Sequence, residues 1–472
     1  MNRITRFSGH FFHPTVIIIS ILLYLSSCGQ PENDASKTLK ICMWAFDLYQ
    51  HSLRELIQEY EKLHPGVKVE IIKEPWDGFF TLATTQLIGD IAPDVMQTHI
   101  SWANEYGTQN KWFVNLLPYY EQINPYTGEK WIDGMYREQA LLDLASDGGV
   151  YAVPIDLAGT GIFYNKKIFD DLNLKPPETW KEFIELQQKI QDAGITPFLM
   201  AVSSISGNWH WIIDTMQDMV MNNQFNKCDW DGDGKLKPWE AARAVHKNIF
   251  SFHDPQYKEM WRLIKSWTKY WPRGFTDTIT NDLWSRGGVA MFWGMSYNLR
   301  MLEQDQLRDF DYGIFLFPTI TAESTAYYSG RQSPSHVGPG GVCMALPATT
   351  LKKGREKLAL DFLMYITAPQ NASRMCWNSM TIPNSPQARV HPKVKPFLKN
   401  VENHARFPRT WDGGSESIAM HELLRCMQLY LLDRITLDEA MNRLQDATTQ
   451  SIAEIIEMRL FDNDQRWNPE KW

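Results

Sequence analysis

The chain has 472 residues, enough for two or three domains and a large buried core. A hydrophobic fraction of 44% and a charged fraction of 22% are typical of a globular protein. The net charge of −8 argues against nucleic-acid binding, which needs a concentrated basic surface, and against an anionic polymer as ligand. Tryptophan is unusually frequent, at 19 copies. Most of these rings are expected to fill cores, but flat aromatic rings also suit the apolar faces of sugars.

The N-terminus has the pattern of a secretory signal peptide. A basic start is followed by an apolar run over residues 16–25, which is short of the roughly 20 residues of a membrane-spanning helix. The Leu-Ser-Ser-Cys-Gly sequence at 25–29 resembles a bacterial lipobox, in which Cys28 becomes the lipidated N-terminus. We therefore expect a lipoprotein signal peptide over 1–27 and a flexible tether over 28–37. The alternative is an ordinary signal peptide that happens to contain a cysteine.

Six cysteines occur in the chain, and none has CxxC or other metal-type spacing. If Cys28 carries lipid, five cysteines remain, so at least one of them has no partner within the chain. We therefore predict that the protein has no dedicated disulfide framework. Their spacing alone leaves the pairing of the remaining cysteines open.

Strands and helices alternate after the tether. In chain order, the predicted elements are a strand over 38–46, a helix over 51–63, a strand over 67–71, a helix over 79–88 and a strand over 92–96. This β-α-β-α-β order implies a parallel sheet, and ligands of such sheets bind at the carboxyl ends of the strands.

The segment over 147–167 joins two short apolar runs through small residues. Pro154 ends the first run, because proline cannot donate a hydrogen bond to a strand ladder. One interpretation is an ordinary turn between neighbouring strands, and the other is a single crossing between two lobes. Downstream, a Pro-Pro pair precedes Thr179, and Glu182 follows three residues later. That spacing predicts a capping box at the start of a helix.

Several stretches together resemble the family 1 extracellular solute-binding proteins, the sugar-binding subunits of ABC importers, to which maltose-binding protein belongs. The stretches that carry the resemblance are Tyr151-Ala152-Val153-Pro154, Tyr164-Asn165-Lys166, Pro177 to Trp180, Gly194 to Phe198, Trp284 to Phe292, Gly338 to Val342 and Thr381-Ile382-Pro383. The likeness covers nearly the whole mature chain and is weakest over 212–283 and 385–420.

This resemblance implies an α/β fold of two lobes, periplasmic-binding-protein-like and of type II. Each lobe is expected to be a mostly parallel sheet flanked by helices, joined by three hinge crossovers. Lobe one is expected over 38–156 and 339–380, and lobe two over 157–338 and 381–472. The small residues of the first crossover are expected to let the hinge flex and to leave room for ligand. A solute would bind in the cleft between the lobes, closed by hinge motion.

Sugar recognition requires aromatic faces together with a few polar groups, placed at strand ends or in crossovers. The candidate ligand-binding residues are Trp44, Asp47, Trp76, Trp102, Asp156, Trp209, Trp293, Tyr297, Gly340, Gly341 and Trp411. For any single member of this set, packing in a core or an ordinary surface position is the competing interpretation. The ligand-binding interpretation is stronger for the set as a whole, because the resemblance places its members at one cleft.

Residues 229–240 fit the calcium-binding loop of an EF-hand. The expected ligands are the carboxylates of Asp229, Asp231, Asp233 and Glu240 and the carbonyl oxygen of Lys235. Gly234 stands at the sixth position, where the chain turns sharply, while Lys237 at the ninth cannot act as a ligand. The alternative is an Asp/Gly-rich surface turn. No second loop of this type occurs, so we expect structural Ca²⁺ in lobe two rather than a calcium sensor.

The resemblance implies a lipid-anchored, extracytoplasmic protein of the cell envelope, expected to be monomeric. It would capture a mono- or oligosaccharide and deliver it to an ABC permease. An alternative is a surface glycan-binding or sensor lipoprotein of the same fold without a transporter. A glycoside hydrolase using paired carboxylates is a further alternative. No GxSxG or HExxH motif occurs, so we do not expect an enzyme.

Overall fold

The protein is built around two separate β-sheets, each surrounded by helices. The computed structural model describes residues 37–141, 144–203, 209–234, 236–277, 282–334, 338, 342–399, 417–461 and 464–472. Cys28 and the expected signal peptide lie outside these residues. The strands are β1 (Thr38–Met43), β2 (Lys68–Lys73), β3 (Val95–Thr98), β4 (Val153–Pro154), β5 (Asp156–Leu157), β6 (Thr160–Asn165), β7 (Thr196–Leu199), β8 (Val289–Met295), β9 (Tyr312–Phe315), β10 (Cys343–Ala345) and β11 (Ile382–Pro383).

Helices account for most of the remaining regular structure. They are α1 (Phe46–Leu63), α2 (Phe79–Ile88), α3 (Ile100–Gln109), α4 (Leu117–Tyr120), α5 (Arg137–Ala140), α6 (Lys166–Asp171), α7 (Trp180–Asp192), α8 (Trp209–Val220), α9 (Asn222–Cys228), α10 (Pro238–His246), α11 (Pro255–Trp267), α12 (Asp282–Ser285), α13 (Asn298–Gln304), α14 (Thr349–Lys352), α15 (Glu356–Thr367), α16 (Pro369–Ser379), α17 (Ile418–Leu431) and α18 (Leu437–Phe461). Short 3-10 helices cover Trp131–Gly134, Thr268–Tyr270, Pro392–Leu398, Gln465–Trp467 and Pro469–Lys471. Within the described ranges, no helix is both long and apolar enough to cross a membrane.

The first sheet has the strand order β2-β1-β3-β10-β4. β1 pairs in parallel with β2 and with β3, whereas β10 runs antiparallel to both β3 and β4. Side chains alternate across β1, so Leu39 and Ile41 join one apolar cluster and Cys42 joins another. The sheet is therefore covered on both faces. We call the part of the chain around it lobe one.

The second sheet has the order β7-β8-β6-β9 and forms the centre of lobe two. β7 and β8 are parallel, and β6 runs antiparallel to β8 and β9. Ile162 and Phe163, neighbours in β6, belong to two different apolar clusters. All seven residues of β8 are buried, as expected for a strand with helices on both sides.

The predicted two-lobe α/β fold with mostly parallel sheets is thus confirmed, although each sheet also contains one strand that runs opposite to the others. The antiparallel members are β6 and β10, which follow crossovers. The parallel strands of each lobe point their carboxyl ends toward the other lobe. A strand that arrives from the other lobe enters at that same edge, and it therefore runs in the opposite direction.

Three chain segments run side by side between the lobes. β5 and β11 form an antiparallel pair, and Ala158 and Gly338 exchange backbone hydrogen bonds of 2.9 and 3.0 Å. A Cβ atom on Gly159 would lie 2.7 Å from the Cβ of Phe397. At this position the small residue is therefore required by close packing against Phe397, and the space beside it is filled by protein rather than left for ligand.

The local predictions around this crossing are confirmed. β4 ends at Pro154, and Thr179 caps α7 in a capping box with Glu182. The five cysteines of the described ranges, Cys42, Cys228, Cys343, Cys376 and Cys426, are all buried, and no disulfide forms among them. Burial raises the pKa of the Cys42 thiol to about 12.

Candidate ligand-binding cleft

Aromatic rings collect at the carboxyl ends of the three parallel strands of lobe one. Trp44 directly follows β1, Trp76 lies in the loop after β2, and His99 directly follows β3. The ring centroids of Trp44 and Trp76 are 5.1 Å apart, and His99 lies 5.5 Å from Trp44 and 5.4 Å from Trp76. These strand ends share one edge of the sheet, which is where ligands of such folds bind.

Further rings extend this cluster along α2 and α3. Phe80 stacks on His99 at 5.4 Å and contacts Trp102 at 5.2 Å, and Trp102 contacts Tyr106 at 5.0 Å. Trp76 is 51% exposed, and the other rings are partly buried. We call this set the aromatic surface, which consists of Trp44, Trp76, Phe80, His99, Trp102 and Tyr106.

Buried polar groups hold the surface in place. The side-chain oxygen of Gln97, which is fully buried in β3, accepts hydrogen bonds from the backbone N–H groups of Trp44 at 3.1 Å and Ala45 at 3.0 Å. These bonds fix the direction in which the chain leaves β1. Burial lowers the pKa of His99 below its ordinary 6.5, so its ring is neutral at neutral pH. A neutral imidazole offers one hydrogen-bond donor and one acceptor.

Two of the tryptophans predicted for lobe two, Trp209 and Trp293, lie in its core. Trp209 is 5% exposed and Trp293 is 4% exposed, so neither offers a face to a ligand. The indole N–H of Trp209 donates to the carbonyl oxygen of Ser203 at 3.2 Å. The ring nearest to Trp293 on α8 is that of Trp211, which is partly exposed and 6.5 Å away.

The two predicted carboxylates also have protein partners. Asp47 forms an ion pair with Lys73 at 2.5 Å. Asp156 is fully buried, and its carboxylate accepts hydrogen bonds from the Tyr49 hydroxyl and, at 2.5 Å, from the backbone N–H of Val342. Burial raises the pKa of Asp156 to about 6, against the opposing effect of these hydrogen bonds. Asp156 therefore ties the hinge segments together and is not exposed to a ligand.

Of the predicted residues, the structure brings Trp44, Trp76 and Trp102 together. Tyr297 is 38% exposed and immediately precedes α13 of lobe two. Gly340, Gly341, Trp411 and Lys235 lie outside the described residues.

Sequence reasoning missed Phe80, His99, Tyr106 and Trp211. His99 had a usable signal, because it lies three residues after the strand predicted over 92–96, whose carboxyl end is at the ligand edge. Trp211 lies two residues beyond Trp209, and His210 and Trp211 are the two residues of α8 that are not buried. Choosing between neighbouring tryptophans required the orientation of the helix.

Lobe two reaches lobe one on both sides of the aromatic surface. Arg300 of α13 donates a hydrogen bond to the backbone carbonyl of Leu48 in α1. Arg459 of α18 lies 3.4 Å from the carboxylate of Glu105, which stands between Trp102 and Tyr106 on α3. The aromatic surface therefore faces the cleft between the lobes.

The candidate calcium loop brings three carboxylates together. One oxygen each of Asp229, Asp231 and Asp233 lies within 4.8 Å of the others. Two oxygens bound to one Ca²⁺ at about 2.3–2.6 Å are at most about 5 Å apart, so these spacings fit. Asp229 accepts hydrogen bonds from the backbone N–H groups of Gly232 and Gly234, both of which have positive φ.

Two groups compete with calcium in this loop. The ammonium of Lys237 lies 2.5 Å from Asp231 and 2.9 Å from Asp233. Glu240 is fully buried, and its carboxylate accepts hydrogen bonds from the backbone N–H groups of Trp230, Asp231 and Lys237. The predicted bidentate Glu240 is thus engaged with backbone. A cation at the three aspartates requires Lys237 to move away.

Comparison with known proteins identifies the family. The model of the family described as bacterial extracellular solute-binding protein matches residues 49–373, well over half of the chain. The chain belongs to the bacterial extracellular solute-binding proteins. This solute-binding protein therefore belongs to a family of extracellular binding proteins.

Individual relatives are distant. A multiple sugar-binding protein of Streptococcus mutans is 28% identical over 181 residues, which are 38% of this chain and 40% of that protein. A melibiose/raffinose/stachyose-binding protein of Bacillus subtilis, MelE, is 27% identical over 197 residues, 40% of this chain and 43% of that protein. The matched part thus spans less than half the length of either relative. The unliganded structure of RafE from Streptococcus pneumoniae superimposes with a TM-score of 0.64 at 21% identity, covering 88% of this chain and 97% of that one.

Proposed function

We propose that this solute-binding protein captures a carbohydrate in the cleft between its lobes and delivers it to an ABC permease. The aromatic surface is the observation that carries the proposal. Sugar rings present apolar C–H faces that stack on aromatic rings, and their hydroxyl groups need donors and acceptors. The aromatic surface offers five aromatic rings of Trp, Phe and Tyr and, in His99, a neutral imidazole among them.

The relatives support the same class of ligand. One relative is named as a binding protein for multiple sugars, and the other as a binding protein for melibiose, raffinose and stachyose. The proposal for this chain covers mono- and oligosaccharides. It assigns lobe one to 38–156 and 339–380 and lobe two to 157–338 and 381–472. In this proposal the protein is not an enzyme, because the cleft captures and releases the sugar unchanged.

A glycan panel tests this function. We expect thermal-shift screening to find a sugar that raises the melting temperature, and calorimetry to confirm its binding. Recovery of the sugar unchanged after prolonged incubation separates binding from hydrolysis. In cells, deletion of the gene is expected to abolish uptake of that sugar. Intact uptake would favour a surface glycan-binding or sensor protein instead, and a complete absence of carbohydrate binding would refute the proposal.

We also propose that the chain is anchored to the membrane through lipid on Cys28. The lipobox-like sequence at 25–29 supports this proposal. We expect metabolic labelling with a clickable fatty acid to mark the wild-type protein and to be lost in Cys28→Ala. Labelling that persists in the variant would contradict the assignment.

A structural Ca²⁺ in lobe two is a further part of the proposal. It is supported by the spacing of the carboxylates of Asp229, Asp231 and Asp233. In this proposal Ca²⁺ displaces the Lys237 ammonium, which neutralises two of the same carboxylates in its absence. The ion would join the end of α9 to the start of α10 and stabilise lobe two, without contributing to the ligand cleft.

Chelation tests the calcium proposal. We expect millimolar Ca²⁺ to raise the melting temperature relative to EDTA, and Asp231→Asn to abolish the difference. Lys237→Gln is expected to tighten calcium binding, because it removes the competing ammonium. An identical melting temperature with EDTA and with Ca²⁺, in both the wild type and Lys237→Gln, would eliminate the site.

A further inference from the structure

Two arginines of lobe two contact lobe one at separate places, and the aromatic surface lies between them. Arg300 reaches the first turn of α1, immediately after Trp44 and Ala45. Arg459 reaches α3, which carries Trp102 and Tyr106. The Arg300 contact joins a side chain to backbone oxygens, and the Arg459 contact joins two side chains. Their partners lie next to the rings rather than among them.

The Arg300 contact uses backbone oxygens that a helix leaves accessible. Its guanidinium donates to the carbonyl of Leu48 and, at 3.4 Å, to that of Asp47. A carbonyl oxygen has two lone pairs, so it can accept from a guanidinium while also accepting within the helix. Tyr297, which is 38% exposed, lies three residues before Arg300 at the start of the same helix.

The Arg459 contact joins two rigid elements. Arg459 is in the last turn of α18, a helix whose Ile452 and Ile456 are packed in the core of lobe two. Glu105 lies in α3, and its carboxylate is partly exposed. Because each partner is on a packed helix, the ion pair relates the orientation of one lobe to that of the other.

We infer that Arg300 and Arg459 are positioning residues of the binding site, which hold lobe two over the aromatic surface before ligand arrives. The inference needs the two-lobe fold and does not depend on the ligand being a carbohydrate. Bridges between lobes exist in the closed form and are broken in an open form, so they shift the population toward closure. Each partly exposed bridge is expected to change the closed-to-open ratio by about twofold to fivefold.

The interlobe distance in the absence of ligand is the measurement that tests this inference. Spin labels are attached through Leu63→Cys on α1 and Glu185→Cys on α7, both exposed, while the described native cysteines are buried. In the full-length chain, Arg300→Ala combined with Arg459→Ala is expected to shift the pulsed-dipolar distance distribution to longer values. Arg374→Ala is the matched control, because it removes an arginine paired with Glu59 at 2.6 and 2.8 Å inside lobe one.

A charge exchange distinguishes positioning from general stabilisation. Glu105→Arg and Arg459→Glu are each expected to lengthen the distances, and their combination is expected to restore the wild-type distribution. Melting temperatures show that every variant is folded, and Arg300→Lys, which keeps the charge, provides a milder variant. A wild-type distance distribution in the double alanine variant would overturn the inference. That outcome is independent of the glycan panel, so the two proposals can fail separately.

Discussion

The two lobes use their tryptophans differently. In lobe one, Trp44, Trp76 and Trp102 lie at the ends of strands or on the helix that follows, and they form one connected surface at the cleft. In lobe two, Trp209 and Trp293 are buried in the core. These tryptophans thus form the candidate binding surface in lobe one and pack in the core in lobe two.

The difference follows from where each residue stands on its element. Trp293 is in β8, a strand buried along its whole length between two layers of helices. Trp209 is in α8, where all but two residues are buried. Trp76, in contrast, lies in the loop after β2 and keeps half of its surface exposed. A tryptophan beyond the end of a strand is therefore a better candidate for ligand contact than one within a buried strand or on the buried face of a helix.

The largest expected effect separates the two kinds of tryptophan. Trp293→Ala or Trp209→Ala is expected to lower the free energy of unfolding by about 3–5 kcal/mol, because a large buried ring leaves a cavity. Trp76→Ala is expected to leave that free energy nearly unchanged and to weaken ligand binding by about 1–2 kcal/mol, from the ring area no longer covered by ligand. Urea unfolding and calorimetry measure the two quantities.

Trp230→Ala is the control for these variants, since Trp230 is 45% exposed and stacks on Arg243 away from the aromatic surface. It should alter neither the cleft nor the core. The assignment of Trp293 to the core and of Trp76 to ligand contact would be wrong if Trp293→Ala kept full stability and lost ligand affinity, or if Trp76→Ala destabilised the fold.

An effect of intermediate size on stability is expected from Asp156, in the hinge between the two lobes. Asp156 has a pKa of about 6 in the folded protein and about 3.8 in the unfolded chain. Between these two pH values its carboxyl is mostly protonated in the folded state and mostly ionised in the unfolded state. Stability from this group therefore falls as pH rises from about 4 to about 6, by about 2–3 kcal/mol. Asp156→Asn is expected to remove this contribution from the pH profile of urea unfolding.

The exposed Asp309→Asn serves as the matched control, and only the difference between the two variants is attributed to Asp156. If the pH profile of Asp156→Asn ran parallel to that of Asp309→Asn, the assignment of a raised pKa to the buried carboxyl of Asp156 would be wrong. The hinge would then be held by an ionised carboxylate throughout this pH range.

The smallest expected effect concerns His99 on the lobe-one side. A ligand that covers the ring favours its neutral form, so affinity should be full above the His99 pKa and decrease as pH falls below it. Calorimetry at about pH 5 and about pH 8 is expected to show a severalfold loss at the lower pH in the wild type. His99→Gln should flatten this dependence, and an equal loss in the variant would exclude His99 as its source.

Local patterns in the sequence were sufficient for much of the fold. The helix over 79–88 has the predicted bounds, and the capping box of Thr179 and Glu182 forms as expected. The stop at Pro154 and the crossings near residues 155, 338 and 382 are also present. The helix bounds, the capping box and the stop at Pro154 depend on residues close together in sequence, so their spacing is enough to reveal them. The crossings, in contrast, were expected from the family resemblance.

Tertiary structure alone decided which residues form the cleft. Asp156 is a hinge residue rather than a ligand contact because Tyr49 and Val342, which are 107 and 186 positions away, bind its carboxylate. Gly159 is small because Phe397 packs against it, and Trp211 rather than Trp209 is exposed because of how α8 lies on its sheet. Such outcomes depend on contacts between segments that are distant in sequence, and these contacts cannot be predicted from the local spacing of residues.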